Sequence, residues 1–284
     1  KLFYDDLLDI SQIGIFKQIS LINKHQFDLF LLPEKSIKSS LLFLLSKVKF
    51  KLGYLGSYSL SANFKSIKYS FIPHKDHYYL KSYNLLKVLQ NEQVAVNSSY
   101  TPDLSFLNNL SLKPNKDYIL FIPCVQWGNR TVSFEYAKLI AEEVLKSKYM
   151  LFLGGGLESI QTNKLLVKEF EKYIEKIVFQ ENLNLLEFTD LVRNSKAVIC
   201  GDSGPMHIAY GFQKPVLSFW GPTFPDLRIP QLSDSKSKII FEKQNCKVSN
   251  CYKMEHKPFC KTCLRLENIP DLSKKIKFFI QALT

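Results

Sequence analysis

The sequence predicts an α/β chain built from two doubly wound halves, and three observations predict it. Short apolar segments alternate with periodic helical ones, the pattern of parallel βαβ units. The alternation stops over residues 91–116, a polar stretch that contains Pro102 and Pro114, and then resumes. The chain has 284 residues, 46% of them hydrophobic and 23% charged, enough material for two cores of ordinary domain size. The expected division is 1–113 and 114–284.

In the first half, Phe27–Leu32 reads as a buried strand closed by Pro33. Ser36–Val48 has the apolar spacing of a helix with Ser36 as its N-cap. Phe50–Tyr54 is the next strand, and Asp76–Leu89, with its stripe of Tyr and Leu, the next helix. The second half opens on Asp117–Ile122, a strand closed by Pro123. Ser133–Ser147 is a strongly periodic helix whose apolar face carries Phe134, Ala137, Ile140 and Val144. Tyr149–Leu153 is a strand that runs into Gly154-Gly155-Gly156. Ser159–Glu175 reads as one charged amphipathic helix and Leu185–Asn194 as another. An apolar strand, Lys196–Cys200, leads into Asp202-Ser203-Gly204, and a helix begins near Pro205. Lys214-Pro215-Val216 opens a further strand, and residues 273–283 read as a terminal amphipathic helix.

The net charge is +12, from 38 Lys and Arg against 26 Asp and Glu. Such a surplus speaks for anionic partners and not for a fold. Phosphorylated or carboxylated sugars and anionic lipid headgroups fit it. Nucleic acid is not an expected partner, because no nucleic-acid-binding module is present in the sequence. The apolar run Leu41–Leu45 is far too short to span a bilayer, and no signal peptide is visible. The expectation is a cytoplasmic protein whose membrane contact is peripheral and electrostatic. Lys1 in place of Met implies that the natural start lies upstream.

Cys124 and Cys200 sit in apolar strand-like segments and read as inert core thiols. Cys246, Cys251, Cys260 and Cys263 surround His256. Their spacing could hold zinc, although only the last pair has the usual Cys-x2-Cys form, and disulfides are open to them in an oxidising compartment.

The most informative stretch is Ile199-Cys-Gly-Asp-Ser-Gly-Pro-Met-His-Ile-Ala209, followed by Trp220-Gly-Pro-Thr-Phe-Pro225. A strand end that feeds a helix N-terminus leaves amide donors and a positive dipole end, which together suit a phosphate. Asp202, Ser203 and His207 add an acceptor, a hydroxyl and an imidazole at the same spot. Taken alone, those three residues are better explained by an ordinary N-cap and a structural histidine. Gly154-Gly-Gly-Leu-Glu158 lacks the Gly-Lys-Ser/Thr of a phosphate loop and the last glycine of a dinucleotide fingerprint, so a tight turn is its plain alternative.

Taken together, Asp-Ser-Gly-Pro-Met-His-Ile-Ala, Lys-Pro-Val and Gly-Pro-Thr-x-Pro resemble glycosyltransferase family 9, the bacterial ADP-heptose:lipopolysaccharide heptosyltransferases and their relatives. The resemblance implies the GT-B architecture, two Rossmann-like doubly wound domains facing a cleft, here with a truncated N-terminal domain. It implies an inverting transfer of heptose from ADP-heptose to a lipopolysaccharide inner-core acceptor at the anionic inner-membrane surface, with no cofactor and no bound metal. Asp202, Ser203, Gly204 and His207 become donor-binding residues. Glu158 would accept hydrogen bonds from nucleoside hydroxyls, Leu183 would pack on the nucleobase, and Thr223 would shape the loop beside the diphosphate. The Cys-rich segment would not be a metal site.

Two departures stand out. Where the family carries Lys-x-Trp-Pro, aligning the following helix gives Asn129, Thr131 and Val132. Arg130, one residue on, could take the pyrophosphate contact bidentately, or could be a surface arginine beside an ordinary loop. The family's Gly-Asp turn, which bears the presumed general base, has no counterpart here, and Asp5, Asp6 and Asp9 fall in a different part of the pattern. No catalytic base is therefore assigned, and one is expected upstream of Lys1. A non-catalytic nucleotide-sugar-binding homologue, or a transferase of another nucleotide sugar, is the alternative.

Overall fold

A computed structural model describes residues 10–32, 37–48, 50–53, 116–126, 130–221, 223, 225, 228–229, 237–241 and 269–283. The chain divides into two compact units, Lys1–Val96 and Asn97–Thr284. The expected helix Asp76–Leu89, the boundary at 113 and the segment bearing Cys246, Cys251, His256, Cys260 and Cys263 lie outside the described residues. So do Asp5, Asp6, Asp9 and Asn129.

The first unit contains a βαβ motif. Strand β1 (Leu29–Leu32) pairs in parallel with β2 (Phe50–Gly53), Leu29 opposite Phe50 and Leu32 opposite Gly53, and helix α2 (Ile37–Leu45) makes the crossover. Phe43 of α2 is buried, its ring 5.4 Å from that of Phe30. The helix ends earlier than its apolar spacing suggests. Lys51 reaches back from β2, its Nζ donating to the carbonyls of Leu44 at 3.2 Å and Ser46 at 2.6 Å, which satisfies helix-end acceptors. Ahead of β1 stands α1 (Ile15–Lys24), which buries Gln18 and Ile22 and which the sequence reading did not assign.

The second unit is a six-stranded parallel sheet. Its strands are β3 (Tyr118–Ile122), β4 (Met150–Leu153), β5 (Ile177–Phe179), β6 (Ala197–Gly201), β7 (Val216–Trp220) and β8 (Lys238–Phe241). They lie in the order β5-β4-β3-β6-β7-β8, so the chain winds outward from β3 in one direction and then from β6 in the other. The pleat sends alternate side chains into two separate cores. Ile119, Phe121, Ile199, Leu217 and Phe219 face one side. Helices α3 (Phe134–Leu145), α4 (Leu157–Glu169) and α7 (Leu272–Gln281) contribute to that core. Leu120, Ile122, Val198, Cys200 and Trp220 face the other side, with α5 (Leu185–Asn194) and α6 (Gly204–Gly211). Burial on both faces explains why these strands read as continuous apolar runs without alternation.

Two polar groups of the second unit's cores are paired as follows. The Tyr118 hydroxyl donates to the Leu191 carbonyl at 2.6 Å, and the Trp220 indole to Ser218 Oγ at 2.8 Å. The expected single helix over 159–175 is divided: α4 stops at Glu169, and Glu171–Lys176 forms a 3-10 segment that delivers the chain into β5. Lys176 Nζ holds this corner by donating to the carbonyls of Leu145 at 2.9 Å and Ser147 at 2.7 Å. Neither β5 nor β8 was assigned from the sequence, since three or four apolar residues at a sheet edge carry too short a signal.

Candidate functional site

The sheet order reverses between β3 and β6. In open α/β sheets such a switch point opens a crevice beyond the carboxyl ends of the strands. A recess of about 530 Å³ lies there. The loop after β3 contributes Cys124, Val125, Gln126 and Arg130, the loop after β4 contributes Gly155 and Gly156, and the first turn of α4 contributes Glu158. Leu183, Leu185 and Phe188 supply an apolar wall, and Asp202, Ser203, Gly204 and Pro205 close the far side at the start of α6.

Ser203 is the N-cap residue of α6, but its side chain does not cap the helix. Its Oγ turns back to the Gly201 carbonyl at 3.3 Å. The helix therefore opens on the recess without a cap from the Ser203 side chain, and its dipole favours an anion there.

The Asp202 carboxylate is buried and is the hub of the site. Its Oδ2 accepts from Thr223 Oγ1 at 2.6 Å and forms an ion pair with Arg130 Nη1 at 3.2 Å, and its Oδ1 accepts from Arg228 Nη1 at 3.2 Å. Thus three loops, after β3, β6 and β7, meet on one carboxylate.

Next to Arg130, Thr131 Oγ1 accepts from the Val125 amide at 3.1 Å and donates to the Val125 carbonyl at 3.2 Å. Gly201 lets the Arg130 backbone come close: a Cβ there would stand 2.8 Å from the Arg130 carbonyl oxygen.

The glycine turn is held from beneath by polar residues of α4. Asn163 Nδ2 donates to the Gly154 carbonyl at 3.1 Å, and Ser159 Oγ donates to the Cys124 carbonyl at 3.3 Å. Gly155 has φ +120°, a region side chains avoid. Glu158 is exposed, and its Oε1 accepts from the Gly156 amide at 3.3 Å, so its carboxylate sits on the turn at the rim of the recess. The Cys124 thiol lines the recess, and burial raises its pKa above the usual thiol value, which makes it a poor nucleophile.

The structure brings Arg130, Glu158, Leu183, Asp202, Ser203 and Gly204 to one recess, and Thr223 to the carboxylate behind it. His207 is exposed on α6 and is not among the lining residues. Its pKa lies below the ordinary imidazole value, first because protein atoms crowd the ring, with the Asp202 charge opposing that effect and the Arg228 charge adding to it. Arg228 is the partner of Asp202 that sequence reasoning missed. Its one sequence mark is its position three residues after Pro225, which carries no periodic signal. Among the described residues, no group of three or more His, Cys, Asp or Glu side chains could hold a metal ion, and no helix is long and apolar enough to cross a membrane.

A family model described as glycosyltransferase family 9 (heptosyltransferase) matches residues 15–257. Lipooligosaccharide heptosyltransferase 2 of Haemophilus influenzae is 26% identical over 246 residues, which make up 81% of this chain and 70% of that protein. The enzyme of the same name from Haemophilus ducreyi is 23% identical over 241 residues, 78% of this chain and 68% of that protein. Among solved structures, the ADP-heptose lps heptosyltransferase II of E. coli superposes with a TM-score of 0.65 at 17% identity, covering 95% of this chain and 81% of that one. E. coli heptosyltransferase WaaC with ADP-2-deoxy-2-fluoro heptose gives 0.62 at 17% identity, covering 80% and 70%. These likenesses show the fold, which is the GT-B fold of those heptosyltransferase structures.

Proposed function

The chain belongs to glycosyltransferase family 9 and is a glycosyltransferase, and from that premise we propose that it moves heptose from ADP-heptose to an inner-core hydroxyl of lipopolysaccharide, with inversion at the anomeric carbon. The observation that carries this reading is the pairing of Arg130 with Asp202 beside the open start of α6, within a recess of nucleotide size. Two of the relatives named above are lipooligosaccharide heptosyltransferases, and one structural neighbour was solved with an ADP-heptose analogue. Both facts support heptose and ADP over another sugar and another nucleotide.

In this reading the first amides of α6, from Ser203 and Gly204, receive the diphosphate, and Arg130 neutralises it from the β3 side. Leu183 lies against the adenine and Glu158 accepts from the ribose hydroxyls. Thr223 and Asp202 stay behind the ligand and hold the loops, and His207 lines the approach along α6. The acceptor oxygen forms a bond to the anomeric carbon as the bond from that carbon to the diphosphate oxygen breaks. The acceptor's proton passes to a base for which no residue of this chain is named. Charge collects on the departing diphosphate, so donors already aimed at it lower the barrier without reorganising. The +12 charge suits a phosphate-bearing acceptor and an anionic membrane surface at the cytoplasmic face.

Calorimetry with ADP tests the donor half. Saturable binding is expected, weakened by Asp202→Ala, and an absence of binding overturns the reading. Mass spectrometry of a heptose-deficient inner-core acceptor incubated with ADP-heptose tests the transfer. A gain of one heptose supports it, whereas ADP binding with no transfer leaves a nucleotide-sugar-binding homologue in its place.

A further inference from the structure

We propose that the edge formed by the amino ends of strands β3 to β7 is a docking surface for anionic lipid headgroups; this rests on the reading of a membrane-borne acceptor and gives that contact a place on the molecule. In a parallel sheet every strand starts at one edge, so residues just ahead of the strands meet there however far apart they are in sequence. Each of these five neighbouring strands has a lysine within two residues of its start. In sheet order they are Lys176 before β5, Lys148 before β4, Lys116 before β3, Lys196 before β6 and Lys214 before β7. The register keeps them level. Tyr118 pairs with Met150, Ile119 with Ala197, Leu151 with Ile177 and Val198 with Val216, which sets the five lysines within two residue steps of one another. At about 4.8 Å between strands, the row is about 19 Å wide.

Part of this charge serves the fold. Lys176 Nζ donates to the carbonyls of Leu145 and Ser147, and Lys196 pairs with the exposed Asp117 at 3.2 Å. Lys116 and Lys148 are exposed, and Lys148 Nζ stands 5.4 Å from the centre of the Tyr149 ring. Lys214 is half-buried, and its pKa is lowered, first by burial and then by the like charges of Lys196 and Arg193. Like charges gathered by folding repel one another, and an anionic surface reverses that penalty. Among the described residues, the carboxylates that adjoin these strand starts in sequence are Asp117 and Glu175, so cations outnumber acids along the edge.

The kind of cation points to lipid. A lysine is a point charge on a flexible stem and lacks the planar fork with which an arginine grips one carboxylate or phosphate. A row of lysines therefore suits a layer of mobile headgroups better than the fixed carboxylates of a protein partner. The donor recess lies beyond the opposite ends of the same strands. A strand of this length, at about 3.3 Å per residue, puts it about 15 Å from the edge. A chain docked by this edge keeps the recess clear of the bilayer and within reach of sugars that project from it.

Co-sedimentation of the 284-residue chain with vesicles of phosphatidylcholine, with and without phosphatidylglycerol, tests this. Binding is expected only with phosphatidylglycerol, and it should weaken as salt is added. Each lysine near an anionic bilayer strengthens binding about fivefold, so Lys116→Gln, Lys148→Gln and Lys214→Gln together should weaken it about a hundredfold. The set Lys138→Gln, Lys164→Gln and Lys274→Gln removes the same charge from α3, α4 and α7 and should weaken it only about threefold. The edge variant should keep the ADP affinity of the unaltered chain. No binding to the anionic vesicles, or equal weakening by the two sets, overturns the inference. Binding to polyglutamate without binding to vesicles assigns the edge to an acidic protein and overturns it too. Each of these outcomes leaves the transferase reading standing, because ADP calorimetry and the transfer assay decide that reading without vesicles.

Discussion

Gly201 lies directly against the backbone of Arg130, with the Arg130 carbonyl oxygen 2.8 Å from where a Cβ would be. The contact joins the last residue of β6 to the loop after β3, the two strands between which the sheet reverses. Backbone cannot swing aside as a long side chain can. Gly201→Ala should therefore displace Arg130 from Asp202 and cost about 1–3 kcal/mol, the usual penalty for overpacking. Urea denaturation and ADP calorimetry check it, and unchanged values in both would show that the loop yields freely.

Thr223→Val removes the hydroxyl that donates to the Asp202 carboxylate and keeps the shape of the side chain. Leaving a buried carboxylate short of a partner costs about 1–3 kcal/mol. Chemical denaturation should register that loss. Serine, which retains the hydroxyl, should restore most of it.

Asn163→Leu tests whether α4 holds the glycine turn. The substitution is close in volume but strips the donor from the Gly154 carbonyl, at a cost of about 1–3 kcal/mol. ADP affinity should fall with stability, because the turn that carries Gly155 and Glu158 loosens. Wild-type ADP affinity in the variant would mean that the turn is fixed by its own backbone.

A pH effect follows from His207. The folded chain holds its pKa below the ordinary 6.5, so the unfolded chain takes up the proton first as pH falls. The cost to folding is absent above that ordinary value and grows as pH drops from about 6.5 toward the folded pKa. His207→Gln removes the titration. Denaturation at several pH values should show wild type losing ground to the variant in acid, and a constant gap between them would refute the assignment.

Ile119–Ile122, Ala197–Cys200 and the Ser133-capped α3 were legible because strands buried on both faces and a half-buried helix write their environments into apolar spacing. Asp202, Ser203 and Gly204 were legible because a strand end, a glycine and a proline in succession describe a strand-to-helix turn. The short edge strands β5 and β8 were not legible, and neither was α1, whose buried positions include the polar Gln18.

The residues alone determined the α/β class, the location of the strand-to-helix turn after β6 and the family to which the chain belongs. Only the tertiary structure decided what the Asp202 carboxylate touches. Its partners, Arg130, Thr223 and Arg228, lie up to 72 residues away in sequence and meet because β3, β6 and β7 are neighbours in the sheet. Local spacing encodes which face of an element is buried, but a hydrogen bond between loops depends on strand order, and strand order is fixed by packing over the whole domain.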